Sequence, residues 1–108
     1  MKLPDEMTIG ESYGPAMKIT TQQEADEYFE ALVERNMRIT GNSREKAIAV
    51  EKSNLGYCAG YYDLETSRRV QELFDCVHPI LGSAKGAFEK GRELTEGSSK
   101  SQRRNEKC

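Results

Sequence analysis

The sequence predicts an all-α fold: a small bundle of three main helices plus a short C-terminal helix, with an extended N-terminal arm. Three observations lead there. Apolar residues recur at about 100° per residue in three successive segments. Each segment opens on a residue able to cap a helix, Thr21, Asn42 or Ser43, and Asp63. The connections between them, at 40–43 and 62–63, are short enough to lay consecutive helices side by side.

Residues 1–19 form the arm. Pro4, Gly10, Gly14 and Pro15 interrupt any helical period, so this stretch reads as extended, with a short strand or turn at "SYGPAMKI". Its apolar content (Tyr13, Ala16, Met17, Ile19) suits packing on the body or on a partner.

Residues 20–95 form the helical domain. The first helix starts at the capping box Thr21-Gln22-Gln23-Glu24, where the hydroxyl takes an orphan N–H and Glu24 reaches back. Ala25, Tyr28, Phe29, Leu32, Val33, Asn36 and Ile39 then share one face, opposite Asp26, Glu27, Glu30 and Glu34, and Gly41 ends the helix. The second starts at Asn42 or Ser43, with Glu45 closing another capping box, and runs to about Tyr61 or Tyr62. The third runs from Leu64 to about Val77, with Thr66, Val70, Leu73, Phe74 and Val77 inward and His78-Pro79 closing it. A turn anchored by Ile80 and Leu81 leads to a last short helix from Ser83 to about Leu94, using Ala84, Ala87, Phe88, Gly91 and Leu94.

The densest stretch is "NLGYCAGYYD", residues 54–63. On a helical wheel it separates into three faces. Ala47, Ile48, Leu55, Cys58, Ala59 and Tyr62 make a core stripe, with Glu51 among them and needing a partner if buried. Gly56, Gly60 and Ala49 make a face with almost no side chain, a groove for a close-packed neighbour: another helix, the arm or a second copy of the chain. Tyr57, Tyr61 and Val50 make the third, where the two tyrosines pack under the arm or anchor a partner.

Composition narrows the function classes. The 108 residues make one domain with a small core, 36% hydrophobic and 31% charged. No apolar run approaches the roughly 18 residues of a membrane span, and the first residues lack the apolar core of a signal peptide, so the expected location is the cytoplasm. Three cysteines, at 58, 76 and 108, are not a disulfide framework. Lys100, Arg103, Arg104 and Lys107 against Glu106 leave +3 on the tail, hence −5 on the remainder of a chain of net charge −2. An acidic body argues against a nucleic-acid grip, except through that basic tail, and residues 96–108 read as disordered.

Chemistry-bearing motifs are sparse. Cys76 and His78 are the weak candidates for a metal site or a thiol nucleophile, but zinc needs about four ligands and residues two apart at a helix end do not face one another. No phosphate-binding loop or nucleophile elbow occurs. No cofactor, metal or catalytic residue is therefore expected, and the chain reads as non-enzymatic.

The segments "YGPAMKIT", "EADEYFEALVERNMR", "NLGYCAGYYDLETSRRVQELF" and "CVHPILG", in this order and spacing, resemble a family of small uncharacterised bacterial proteins. The resemblance covers roughly residues 13–82. It implies that this span, arm included, is one structural unit, and it transfers no activity, substrate or cofactor.

The leading expectation is a helical interaction protein whose binding surface comprises Tyr13, Tyr57, Gly60 and Tyr61, with an unknown protein or a second copy as partner. A small-ligand or nucleotide site using Tyr57 and Tyr61 with Arg68, Arg69 or Glu51 is the alternative, and a thiol enzyme at Cys76 and His78 the third.

Overall fold

The computed structural model describes residues 1–87 and residue 89. The protein is all-α. Its elements are α1 (Ile9–Tyr13), a 3-10 turn (Pro15–Lys18), α2 (Gln22–Thr40), α3 (Arg44–Ala59) and α4 (Leu64–Phe74). Residues 84–87 are helical again, while the rest of the expected last helix and the basic tail lie outside the described residues. The described residues contain no strand, only an isolated antiparallel bridge between His78 and Gly82. α2, α3 and α4 each pack against the other two, and the 3-10 turn packs on α4.

The helix starts follow from local capping. Thr21 Oγ1 accepts the Glu24 N–H at 3.2 Å, Ser43 Oγ accepts the Lys46 N–H at 3.2 Å, and Asp63 Oδ1 accepts the Thr66 N–H at 2.9 Å. α2 ends at Gly41, which takes the left-handed conformation (φ 78°) that a side chain disfavours. Its inner stripe, Ala25, Tyr28, Ala31, Leu32, Val33 and Asn36, is buried, and Phe29 is half-buried against Phe74. The stripe stops one turn before the helix does. Ile39 is exposed because this end of the helix pair is closed by polar groups: Asn36 Oδ1 accepts from Thr40 Oγ1 (3.1 Å) and from Asn42 Nδ2 (3.0 Å).

Residues 9–18 of the N-terminal segment are largely helical rather than extended. Thr8 and Glu11 form a reciprocal capping box (Glu11 N–H to Thr8 Oγ1, 3.1 Å; Thr8 N–H to Glu11 Oε1, 2.9 Å) that starts the one-turn helix α1. Leu3, Tyr13, Ala16 and Met17 are buried in the core. Three arginines bind the segment to the body. Arg35 Nη1 donates to Ser12 Oγ (3.0 Å), Arg38 Nη2 to the Leu3 carbonyl (2.9 Å), and Arg69 to the carbonyls of Ile19 (2.9 Å) and Met17.

Two helix ends fall earlier than the periodicity predicts. α3 stops at Ala59, and the next amides turn inward by i→i−3 bonds, Tyr61 N–H to Cys58 O (3.2 Å) and Tyr62 N–H to Ala59 O (3.1 Å). That tightening takes Tyr62 off the core stripe, and it is exposed, while Ile48 and Cys58 are half-buried. α4 stops at Phe74 because Asp75 adopts the left-handed region (φ 53°). Val77 therefore leaves the helical stripe and is exposed, and His78 and Pro79 do not terminate the helix. Of the two expected turn anchors, Leu81 is buried and Ile80 is exposed.

The residues after α4 fill the glycine groove of α3. A Cβ on Gly56 would collide with the Val77 carbonyl, and one on Gly60 with the His78 ring. The occupant is thus neither a helix, nor the arm, nor a second copy, but the loop 77–78 of the same chain.

Candidate functional site

Tyr13 lies inside the molecule rather than on its surface. Its hydroxyl donates to Glu51 Oε1 at 2.9 Å and accepts from Asn54 Nδ2 at 2.8 Å, while Asn36 Nδ2 donates to Glu51 Oε2 at 2.8 Å. Both carboxylate oxygens of the buried Glu51 are satisfied by neighbours from α1 and α2. Burial and the adjacent Glu51 carboxylate push the Tyr13 phenol well above its ordinary pKa, so it stays a donor. This network locks the N-terminal segment to α2 and α3.

The aromatic cluster at the C-terminal end of α3 is different. Tyr57, Tyr61 and Tyr62 are 47%, 38% and 43% exposed. His78, only 1% exposed, completes the cluster from below. Its ring stacks on Tyr57 (centroids 4.9 Å apart, planes at 28°) and meets Tyr61 edge-on (5.2 Å, 73°), while the two tyrosines meet at 5.4 Å and 62°. His78 Nδ1 accepts the backbone N–H groups of Ile80 (3.0 Å) and Leu81 (2.9 Å). Burial lowers its pKa below the ordinary histidine value. Gly60 is buried beneath this ring.

Beside the cluster lies an open groove of about 380 Å³, lined by Ile9, Gly10, Tyr13, Gly14, Met17, Cys58, Tyr61 and Tyr62. It shares Gly10, Gly14, Met17 and Tyr62 with a wider depression of about 710 Å³ that continues to Lys18, Asp63, Thr66 and Arg69. Arg69 reaches this depression with its guanidinium committed to backbone carbonyls, and Arg68 is exposed on α4. Tyr57 lines neither depression. The structure thus brings Tyr61 and Tyr13 to one groove, together with two residues that sequence reasoning missed. Ile9, 72% exposed, falls in the stretch that reads as an extended arm, although Thr8-x-x-Glu11 carries the signal for its helix. Tyr62 belongs to the core stripe only if the helical period continues past Gly60, and α3 ends at Ala59.

Cys76 is buried, with Sγ 3.9 Å from the Val70 carbonyl, and burial together with Asp75 pushes its thiol up to about 12. At neutral pH such a thiol is a poor nucleophile. His78 Nδ1, meanwhile, is occupied by two amides. Among the described residues no group of three or more His, Cys, Asp and Glu side chains could hold a metal ion, and no helix there is long and apolar enough to cross a membrane.

Fold and site define an all-α domain with a tyrosine-rich face on an apolar groove. Comparison with protein-family models finds no match, and neither do comparisons with curated proteins and with solved structures.

Proposed function

We propose that this is a small non-enzymatic helical protein of the cytoplasm that acts by docking another protein on the face formed by Tyr61, Tyr62 and Ile9, with Tyr57 at its edge. One observation carries the reading: of three neighbouring tyrosines, each more than a third exposed, Tyr61 and Tyr62 line the groove at the end of α3 and Tyr57 stands beside them. Away from the groove, Tyr28 and Phe74 are buried. Tyrosine supplies contact area at low conformational cost and is enriched where binding energy concentrates. A partner's apolar side chain seated between Ile9 and Tyr62 would desolvate both.

Side-by-side affinity capture from the native host, with the wild-type chain and a Tyr61→Ala/Tyr62→Ala variant of equal thermal stability, tests this reading. The wild type retains a partner that the variant loses, with affinity reduced by about 30-fold or more, as expected when a hot spot worth about 2 kcal/mol is truncated. Equal retention by both proteins rejects the face. Light scattering identifies a second copy of the chain as the partner if the wild type self-associates and the variant does not.

One observation favours a small-ligand site instead: the groove volume falls in the range of about 300–1,000 Å³ typical of such sites. The polar groups that would orient a ligand, the Tyr13 hydroxyl and the Arg69 guanidinium, already have partners. A thermal shift on adding nucleotides or metabolites would favour this reading over docking.

A further inference from the structure

His78 is the chain's one histidine, and its segment fills the cleft above Gly56 and Gly60. Its surroundings accept the ring in one protonation state. Nδ1 receives the N–H groups of both Ile80 and Leu81, so the turn needs a lone pair there. The backbone closes the same turn, His78 N–H to Gly82 O at 3.3 Å and Gly82 N–H to His78 O at 3.0 Å. The neutral ring must then carry its proton on Nε2, which is buried and has no hydrogen-bond partner among the described residues. A second proton has nowhere to go except Nδ1, where it would face two amide donors.

No carboxylate among the described residues hydrogen-bonds the ring. α3 presents the phenols of Tyr57 and Tyr61. The segment itself carries the buried Cys76 thiol and Asp75, whose carboxylate pairs with Lys52 Nζ of α3 at 2.9 Å. The helical residues 84–87 bring Lys85, which is exposed. None of the ion pairs among the described residues involves His78.

We propose that the 77–82 turn is a pH-sensitive clasp: protonation of His78 at Nδ1 breaks both amide hydrogen bonds, withdraws the ring from Tyr57 and Tyr61, and disassembles the tyrosine face. The clasp concerns how the face is built rather than what binds it, so it stands or falls apart from the docking reading. The sign follows from the lowered pKa of His78. The unfolded chain, with an ordinary histidine near 6.5, binds more protons than the folded one below that pH. The stabilising contribution is complete above about pH 6.5 and is lost as pH falls from there through the lowered native value.

The test is an NMR titration of the intact chain from about pH 7.5 to about pH 4.5, where a single histidine makes assignment unambiguous. The expected result is an Nε2-protonated neutral ring with a midpoint below that of the same histidine in the urea-unfolded chain. The Ile80 and Leu81 amides and the Tyr57 and Tyr61 ring signals move with that midpoint. A midpoint at or above the unfolded one overturns the proposal, as do amides and tyrosine rings indifferent to the titration. Thermal melts of His78→Gln over the same range supply a second readout. The variant should show a smaller acid-side fall in Tm than the wild type, the remainder coming from carboxylates such as Glu30 and Asp63 whose pKa values are also lowered, and an unchanged fall rejects the clasp. If the variant does not fold, the wild-type titration decides alone.

Discussion

Tyr13 donates its hydroxyl to Glu51 across 2.9 Å in the interior, joining the N-terminal segment to α3. Removing that hydroxyl leaves Glu51 Oε1 short of a donor and Asn54 Nδ2 short of an acceptor. Tyr13→Phe should therefore destabilise the fold by about 1–3 kcal/mol, read by urea denaturation at neutral pH. Glu51→Ala, which orphans both Tyr13 and Asn36, should cost more. The double variant should cost clearly less than the sum of the two, because both changes break one network. Additive effects would show that the two side chains do not interact.

Gly56 and Gly60 are expected to behave against helix propensity. Replacing glycine with alanine inside an ordinary exposed helix adds up to about 1 kcal/mol of stability. Here either Cβ would enter space held by the 77–78 segment. Gly56→Ala meets a backbone carbonyl and Gly60→Ala an imidazole ring, so both should destabilise, by about 1–3 kcal/mol, with Gly56→Ala the worse. Thermal denaturation of the two single variants checks the order. A stabilised Gly56→Ala protein would mean that the loop does not sit on α3.

The parts of this fold that were legible in the sequence are those set by local hydrogen bonding. Thr21, Ser43 and Asp63 cap the main helices where their side chains can meet an amide three residues on, although at the second start Ser43 is the cap and the expected Asn42–Glu45 box does not form. The inner stripe of α2 was legible too, because a long helix with one buried face keeps its period. The misplacements, Tyr62, Val77 and Ile39, fall at helix ends, where a tightened turn, a left-handed residue or a polar closure ends the period. α1 is a single turn with almost no period to read, and its one local signal is the Thr8-x-x-Glu11 capping box. The tyrosine face was half legible. Its composition marked the stretch 54–63, but the residue that fills its floor, His78, arrives from beyond α4, and nothing local predicts that it reaches Gly60.

Asp75 ends α4 with φ at 53°, a region costly for a residue with a side chain. Its carboxylate is largely exposed and pairs with Lys52, a contact worth little in water. Asp75→Gly should thus leave stability within about 0.5 kcal/mol of wild type or raise it slightly, since backbone relief offsets the lost pair and the extra freedom of the unfolded chain. Asp75→Val, with a branched side chain, should lower stability by about 1–2 kcal/mol. Equal stability for the glycine and valine variants would contradict the left-handed conformation.

Cys76 separates a structural thiol from a reactive one. A thiol held near 12 is ionised about a thousandfold less at pH 8 than a free cysteine, and its burial against Val70 hinders approach of a reagent. In a Cys58→Ser/Cys108→Ser background, alkylation of the native protein at that pH should run more than about 100-fold slower than that of free cysteine. It should rise to the free rate when the chain is unfolded in urea. The rate should also climb with pH beyond the point where an ordinary thiol has levelled off, because the native thiolate is still scarce there. Rapid alkylation of the folded protein near neutral pH would instead restore Cys76 as a nucleophile and reopen the reading of this chain as an enzyme.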